Sequence, residues 1–165
     1  MREVTVTFLE MKGPPAGPPP DPPEGTLVME SLRSTAAFYR FLYRTVGGPW
    51  EWTDRESLSD SELETLLAEP EVHLYVLYSE GTPAGYAELD FRYPPDFQLA
   101  YFGLVPAFIG RRLGSFFLRW TVHQAFRLGV GRLCVNTCTL DHPAALPLYQ
   151  KAGFREVEKK IVLRA

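Results

Sequence analysis

The sequence predicts an α/β fold of the α+β kind, a mixed and mostly antiparallel sheet flanked by helices. Three observations lead there. Residues 72 to 105 hold three runs of apolar and aromatic residues separated by Gly and Pro turns, which reads as an antiparallel meander. Phe97 to Cys138 then reads strand, helix, strand, a crossover long enough to lay its two strands parallel. Finally, a chain of 165 residues suits one domain, spanning 1–165, with a core that removes roughly two-thirds of its unfolded surface from water.

Taken in order, Val4, Val6 and Phe8 alternate as a first strand. Residues 13 to 23 carry so many prolines that they can only form an extended, polyproline-like connector, and a stiff tether to a second strand at Thr26 to Glu30 is its plainest use. Ser34 is placed to cap a helix carrying Phe38, Phe41, Leu42 and Thr45, stopped by Gly47-Gly48-Pro49. Ser59 or Asp60 caps a second helix through Leu63, Leu66 and Leu67, ended by Pro70. The meander follows as Val72 to Tyr78, Gly85 to Arg92 and Phe97 to Val105. From Gly110 to Leu128, Leu113, Phe116, Phe117 and Trp120 form one apolar face, with Arg112, Arg119, His123 and Arg127 on the opposite stripe. Gly129 and Gly131 release the chain into a strand at Leu133 to Cys138.

Lys and Arg number 17 against 20 Asp and Glu, a net charge of -3 that gives no footprint for nucleic acid. No apolar run reaches the roughly 20 residues of a membrane span, and the N-terminus alternates like a strand rather than a signal peptide. The expectation is a cytoplasmic protein with no membrane partner; a homodimer is compatible with it. Cys134 and Cys138 sit on one strand about 13 Å apart, too far for a disulfide, and no metal-binding spacing is present.

The chemistry concentrates where the run Leu104-Val105-Pro106 turns through Gly110 into a helix. A helix start leaves its first N–H groups without partners and, with the helix dipole, makes a positive cup suited to phosphate oxygens. The same glycines serve equally well as strand-to-helix punctuation. About twenty-five residues on, a second segment reads Asp141-His142-Pro143-Ala144-Ala145-Leu146-Pro147-Leu148-Tyr149-Gln150-Lys151-Ala152-Gly153-Phe154.

Together and in this order the two segments resemble the cofactor half of the GNAT superfamily of acyl-CoA-dependent N-acyltransferases. The first is similar to V-x-P-x-[QR]-G-x-G-x-[GA], with Val105, Pro106 or its neighbour, Gly110 and Gly114 as the matches; the second matches N-x-x-A-x-x-L-Y-x-x-x-G-F at Ala145, Leu148, Tyr149, Gly153 and Phe154. Ile109, Arg112 and His142 depart from the usual residues. The resemblance implies the GNAT fold, whose parallel fourth and fifth strands splay apart, and acetyl-CoA as cofactor. It implies pantetheine on the backbone of Tyr101, Phe102, Gly103, Leu104 and Val105, and pyrophosphate on the N–H groups of Ile109, Gly110, Arg111, Arg112, Leu113, Gly114 and Ser115.

It further implies transfer of acetyl from acetyl-CoA to a primary amine, on a small molecule or a peptide, by direct attack in a ternary complex. Tyr149 stands at the family's general acid. A protonated amine of pKa about 10.4 is some three units from its reactive form at neutral pH, so a base is needed. The position that often holds Glu is Gln98 here, which cannot serve. Glu88 and Asp90 share one strand face with Tyr86 and are the nearest carboxylates; His142 is a second candidate base, and also a plain helix cap. The acceptor pocket maps to Tyr39, Tyr43, Trp50 and Trp52 with Glu88 and Asp90, where aromatic rings and acids enclose an amine or simply close a core. The departures at Gln98, Ile109 and Arg112 support an alternative, an acyl-CoA-binding or sensing module of the same fold with weak or lost catalysis. A third use, recruitment of a partner by the proline segment, is also open.

Overall fold

The computed structural model describes all 165 residues. Seven strands, β1 (Arg2–Met11), β2 (Thr26–Glu30), β3 (Val72–Ser79), β4 (Thr82–Asp90), β5 (Gln98–Leu104), β6 (Leu133–Cys138) and β7 (Arg155–Arg164), form one sheet in the order β2-β3-β4-β5-β6-β1-β7. Every neighbouring pair is antiparallel except β5 and β6. The mixed sheet expected from the sequence is therefore present.

Four helices flank it: α1 (Ala36–Gly47), α2 (Asp60–Leu67), α3 (Leu113–Arg127) and α4 (Ala145–Ala152). The cap of α1 is Thr35 rather than Ser34, with the Thr35 hydroxyl accepting from the Phe38 N–H. Its inner face also differs from expectation. Tyr39, Leu42, Tyr43 and Val46 recur at helical spacing and are buried, whereas Phe41 faces water. Ser59 caps α2 in a reciprocal box with Glu62, as its sequence suggests.

Two departures from the expected layout matter for the site. First, α3 begins at Leu113, three residues after Gly110, because Gly110 and Arg112 both take left-handed backbone angles. Second, a long strand follows Gly153 as β7, and β1 lies between it and β6, paired antiparallel with each. The chain must then return from β1 to β2 at the far edge of the sheet, five strand positions away. That is about 24 Å at the spacing of paired strands. The fourteen residues between β1 and β2 reach about 43 Å as polyproline, so the connector spans the sheet with slack.

The core forms two clusters on opposite faces of the sheet. Phe116, Phe117, Leu118 and Val122 of α3 pack with Leu89, Leu99, Leu133 and Val135. Tyr39, Leu42, Tyr43 and Val46 of α1 pack with Leu63, Leu74, Val76 and Tyr86. Between them, β5 is held to β4 along its length but meets β6 only at Gln98 and Cys134. A bulge at Glu88 and Leu89 adds twist to the β4–β5 pair, and beyond Gln98 the parallel strands part. No helix is long and apolar enough to cross a membrane.

Candidate active site

The parting of β5 and β6 opens a cavity of about 660 Å³. On one side it is walled by Phe102, Gly103 and Leu104 of β5, the loop and first turn of α3 at Ile109, Gly110, Arg112, Gly114 and Ser115, and Leu148 and Tyr149 of α4. The loop between α1 and α2 closes the other side with Trp50, Trp52, Thr53, Asp54 and Arg55, joined by Tyr43 and Tyr101. Two segments far apart in the chain thus meet across one space.

The turn before α3 keeps part of the expected set of free N–H groups. The Ile109 N–H is already donated to the Pro106 carbonyl, which takes it out of the expected donor set. The N–H groups of Gly110, Arg111 and Arg112 make no intramolecular hydrogen bond, and those at the start of α3 follow them around the turn. Arg111 stacks over Phe108 and, like Arg112, stays exposed. Gly114 faces Leu104 and Leu148 with room for a methyl group and little more.

Tyr149 is held by rings on both sides, Phe102 at 6.3 Å and Phe154 at 5.8 Å between centroids. Its hydroxyl has no hydrogen-bond partner within the protein and its ring lines the cavity. Burial, with a smaller contribution from the Asp141 charge, pushes this phenol well above the ordinary tyrosine pKa. It therefore keeps its proton at neutral pH.

Tyr39 and Glu88, both expected to face the acceptor, lie behind the cavity wall. Each is closed to solvent, and neither lines the cavity. Parity does turn Glu88 to the same side as Tyr86, but α1 covers that side. The Tyr39 hydroxyl donates to one carboxylate oxygen of Glu88, and the Arg55 guanidinium donates to the other at 2.7 Å. Burial works against the charge on Arg55, and Glu88 outweighs it, so the guanidinium is held firmly protonated. Arg55 is also seated over the Tyr101 ring at 5.1 Å, and its backbone N–H donates to the Tyr43 hydroxyl.

Asp90 does line the cavity, with both oxygens committed to Arg92. Burial opposes its charge, and the Arg92 hydrogen bonds more than offset this, leaving its pKa below the usual carboxylate value. His142 lines the cavity beside Trp50, ring to ring at 4.9 Å. Its Nδ1 accepts the Ala144 N–H, so the neutral ring carries its proton on Nε2 and has no free lone pair to offer an amine. Asp141 accepts from the Thr137 hydroxyl and the Cys138 N–H. The carboxylate that lines this side with neither an ion pair nor a hydrogen bond is Asp54. Asp54 and Arg55 follow Trp52 and Thr53 in the loop that the sequence marks for the acceptor, and Tyr101 lies in the β5 run that it marks for pantetheine, but the side-chain places of all three emerge only from the packing.

Trp52 fixes the aromatic wall, 5.7 Å from Tyr43 and 5.2 Å from Tyr101 between centroids. It lies against Gly47, where a Cβ would come within 2.2 Å of its indole. Gly47→Ala is therefore expected to expel the indole and lower stability by about 1 to 3 kcal/mol, read as a reduced melting temperature with altered tryptophan emission.

Residues 35–154 match the Acetyltransferase (GNAT) family. Over 94 residues the chain is 39% identical to the N-alpha-acetyltransferase RimI of Mycobacterium tuberculosis, covering 55% of this chain and 57% of that protein. A GCN5-related N-acetyltransferase from Sphaerobacter thermophilus superposes on 96% of this chain and 49% of its own, with a TM-score of 0.68 at 20% identity. An aminoglycoside acetyltransferase from an uncultured soil metagenomic sample superposes with a TM-score of 0.63 at 13% identity, over 78% of this chain and 88% of its own. The chain thus spans little more than half the length of the RimI relative and about half of the Sphaerobacter protein. With the family match spanning most of its length and the splayed sheet beneath it, this chain belongs to the GNAT acetyltransferase family.

Proposed function

We propose that the protein transfers an acetyl group from acetyl-CoA to a primary amine, with both substrates in the cavity at once. The observation that carries this reading is the single cavity shared by the loop before α3, the partnerless hydroxyl of Tyr149 and the aromatic wall with Asp54. The residues present suit a coenzyme A thioester: unspent N–H groups at Gly110 to Arg112 for the pyrophosphate, and a β5 edge released from β6 for the two amides of pantetheine. When bound, acetyl-CoA supplies a thioester carbonyl open to attack by nitrogen.

The protein's own groups then divide the work. Trp50 and Trp52 line this side beside the free carboxylate of Asp54, a setting that attracts an ammonium group. The ammonium gives one proton to water on that side, its nitrogen lone pair forms the new C–N bond, and the nitrogen loses its second proton to water as the C–S bond breaks, leaving a neutral amide. Tyr149 donates its Oη proton to the departing sulfur and recovers one from solvent. Glu88 acts from behind the wall by holding Arg55, which positions the loop against Tyr101 and Tyr43.

Turnover of acetyl-CoA against a panel of amines, followed by thiol release and product mass, tests this directly. Acetyl-CoA at 100 times its dissociation constant should also add about 2.7 kcal/mol of stability. In Gly114→Val the branched side chain extends past the space left by Leu104 and Leu148, and this stabilisation should vanish. Stabilisation without turnover of any amine would favour the binding-module reading instead.

A further inference from the structure

β7 is the last strand of the sheet, and its outer edge has no neighbour. Nine of its ten residues are exposed and Val162 is half-buried, so neither of its faces is covered. Ile161 is 69% exposed, Leu163 60% and Val157 53%, which sets three large apolar side chains of one strand in water. The opposite edge, β2, also exposes Leu27 and Met29 but is only five residues long. A long, flat edge offers its free N–H and C=O groups to any strand of matching pattern.

We propose that this edge pairs with its own copy, β7 antiparallel to β7, in a two-fold dimer whose sheet runs on through both chains. The charges choose the register. Around a two-fold axis, residues equally distant from it on opposite sides meet on one face of the sheet. An axis at Glu158, Lys159 or Lys160 sets that charge against its own copy, one at Val157 sets Glu156 against Glu158, and one at Val162 sets Lys160 against Arg164. Like charges directly opposite are destabilising. With the axis at Ile161 these conflicts disappear. Ile161 meets Ile161 of the second copy, Leu163 and Val162 lie on the methylene stems of Lys159 and Lys160, and Glu158 faces Arg164. Within one chain Glu158 reaches only Lys160, at 3.8 Å on the surface, and Arg164 has no ion pair. Arg164 also lines the main cavity, so the second copy brings a carboxylate to the cavity's rim. The overlap of residues 157–165 runs about 30 Å, a small interface for which a dissociation constant in the micromolar range is expected.

Sedimentation velocity of the full chain across two decades of micromolar concentration tests the assignment. The wild-type protein should pass from monomer to dimer. Ile161→Lys sets two lysines against each other at the axis and should weaken the dimer about tenfold or more, while Leu27→Lys on the β2 edge should leave it unchanged. Glu158→Arg should also weaken it about tenfold, and adding Arg164→Glu should restore most of the loss. The register has its own readout. At the axis Ile161→Cys faces its own copy with Cα atoms about 4.5 to 5.5 Å apart, so oxidised glutathione should convert that variant to a covalent dimer and leave Lys159→Cys uncrosslinked. All these positions are exposed, so each variant keeps its fold, which circular dichroism verifies. A chain that stays monomeric throughout, or a dimer that Ile161→Lys leaves intact, overturns the proposal. Cross-linking through Lys159→Cys in place of Ile161→Cys overturns the register.

Discussion

Tyr149→Phe is expected to lower kcat by about 10- to 1000-fold while leaving the KM for acetyl-CoA close to its wild-type value. The variant is unusually clean. The ring keeps its contacts with Phe102 and Phe154, and the lost hydroxyl has no partner inside the protein whose bond would be broken. Stability should therefore stay within about 0.5 kcal/mol of wild type at neutral pH. What disappears is a proton at the point where sulfur departs. Wild-type turnover in the variant, with normal thiol release, would show that water serves the sulfur.

The pH dependence adds a second readout. The folded-state pKa of Tyr149 is raised, so below about 10 the residue is protonated in folded and unfolded chains alike and folding is unaffected. Above that value the unfolded chain ionises first, and stability falls with rising pH until the folded group also titrates. The Phe variant lacks this one contribution to alkaline destabilisation. The difference is measurable as a smaller drop in melting temperature between pH 9 and about 11.

The elements on the α3 side of the cavity were legible because local rules decide them. Gly110 can take its left-handed angle without cost, and Phe116, Phe117 and Trp120 recur on one helical face regardless of what they pack against. The opposite wall, built by α1 and the loop after it, was legible only in part. Parity turned Glu88, Asp90 and Tyr86 one way, but nothing in the strand reveals that α1 lies over Glu88 while Asp90 emerges into the cavity. That depends on the packing of Tyr39 and Tyr43, where the more obvious apolar residue, Phe41, points outward. Likewise Asn136 and Arg164 reach the cavity through the pairing of β1 with β6 and β7, a long-range choice that short-range periodicity does not encode.

Glu88→Gln is expected to cost about 3 kcal/mol, because it leaves the Arg55 guanidinium, whose side chain is only 16% exposed, without its counter-charge. For a chain of this size that is a fall of about 6 to 12 °C in melting temperature. Activity should fall as well, since the loop carrying Asp54 loses its anchor, and the loss should persist at alkaline pH. This persistence separates two roles. If Glu88 ended a proton path from the amine, its loss would be felt at neutral pH and repaired at high pH, where the amine is already neutral; the melting temperature would hardly move. Adding Arg55→Gln to Glu88→Gln removes the stranded charge and lets two amides bond to each other and to Tyr39. That double variant should recover most of the stability and none of the activity, because the ring contacts made by the guanidinium are gone. A single variant with unchanged melting temperature and a deficit confined to neutral pH would instead make Glu88 the proton acceptor.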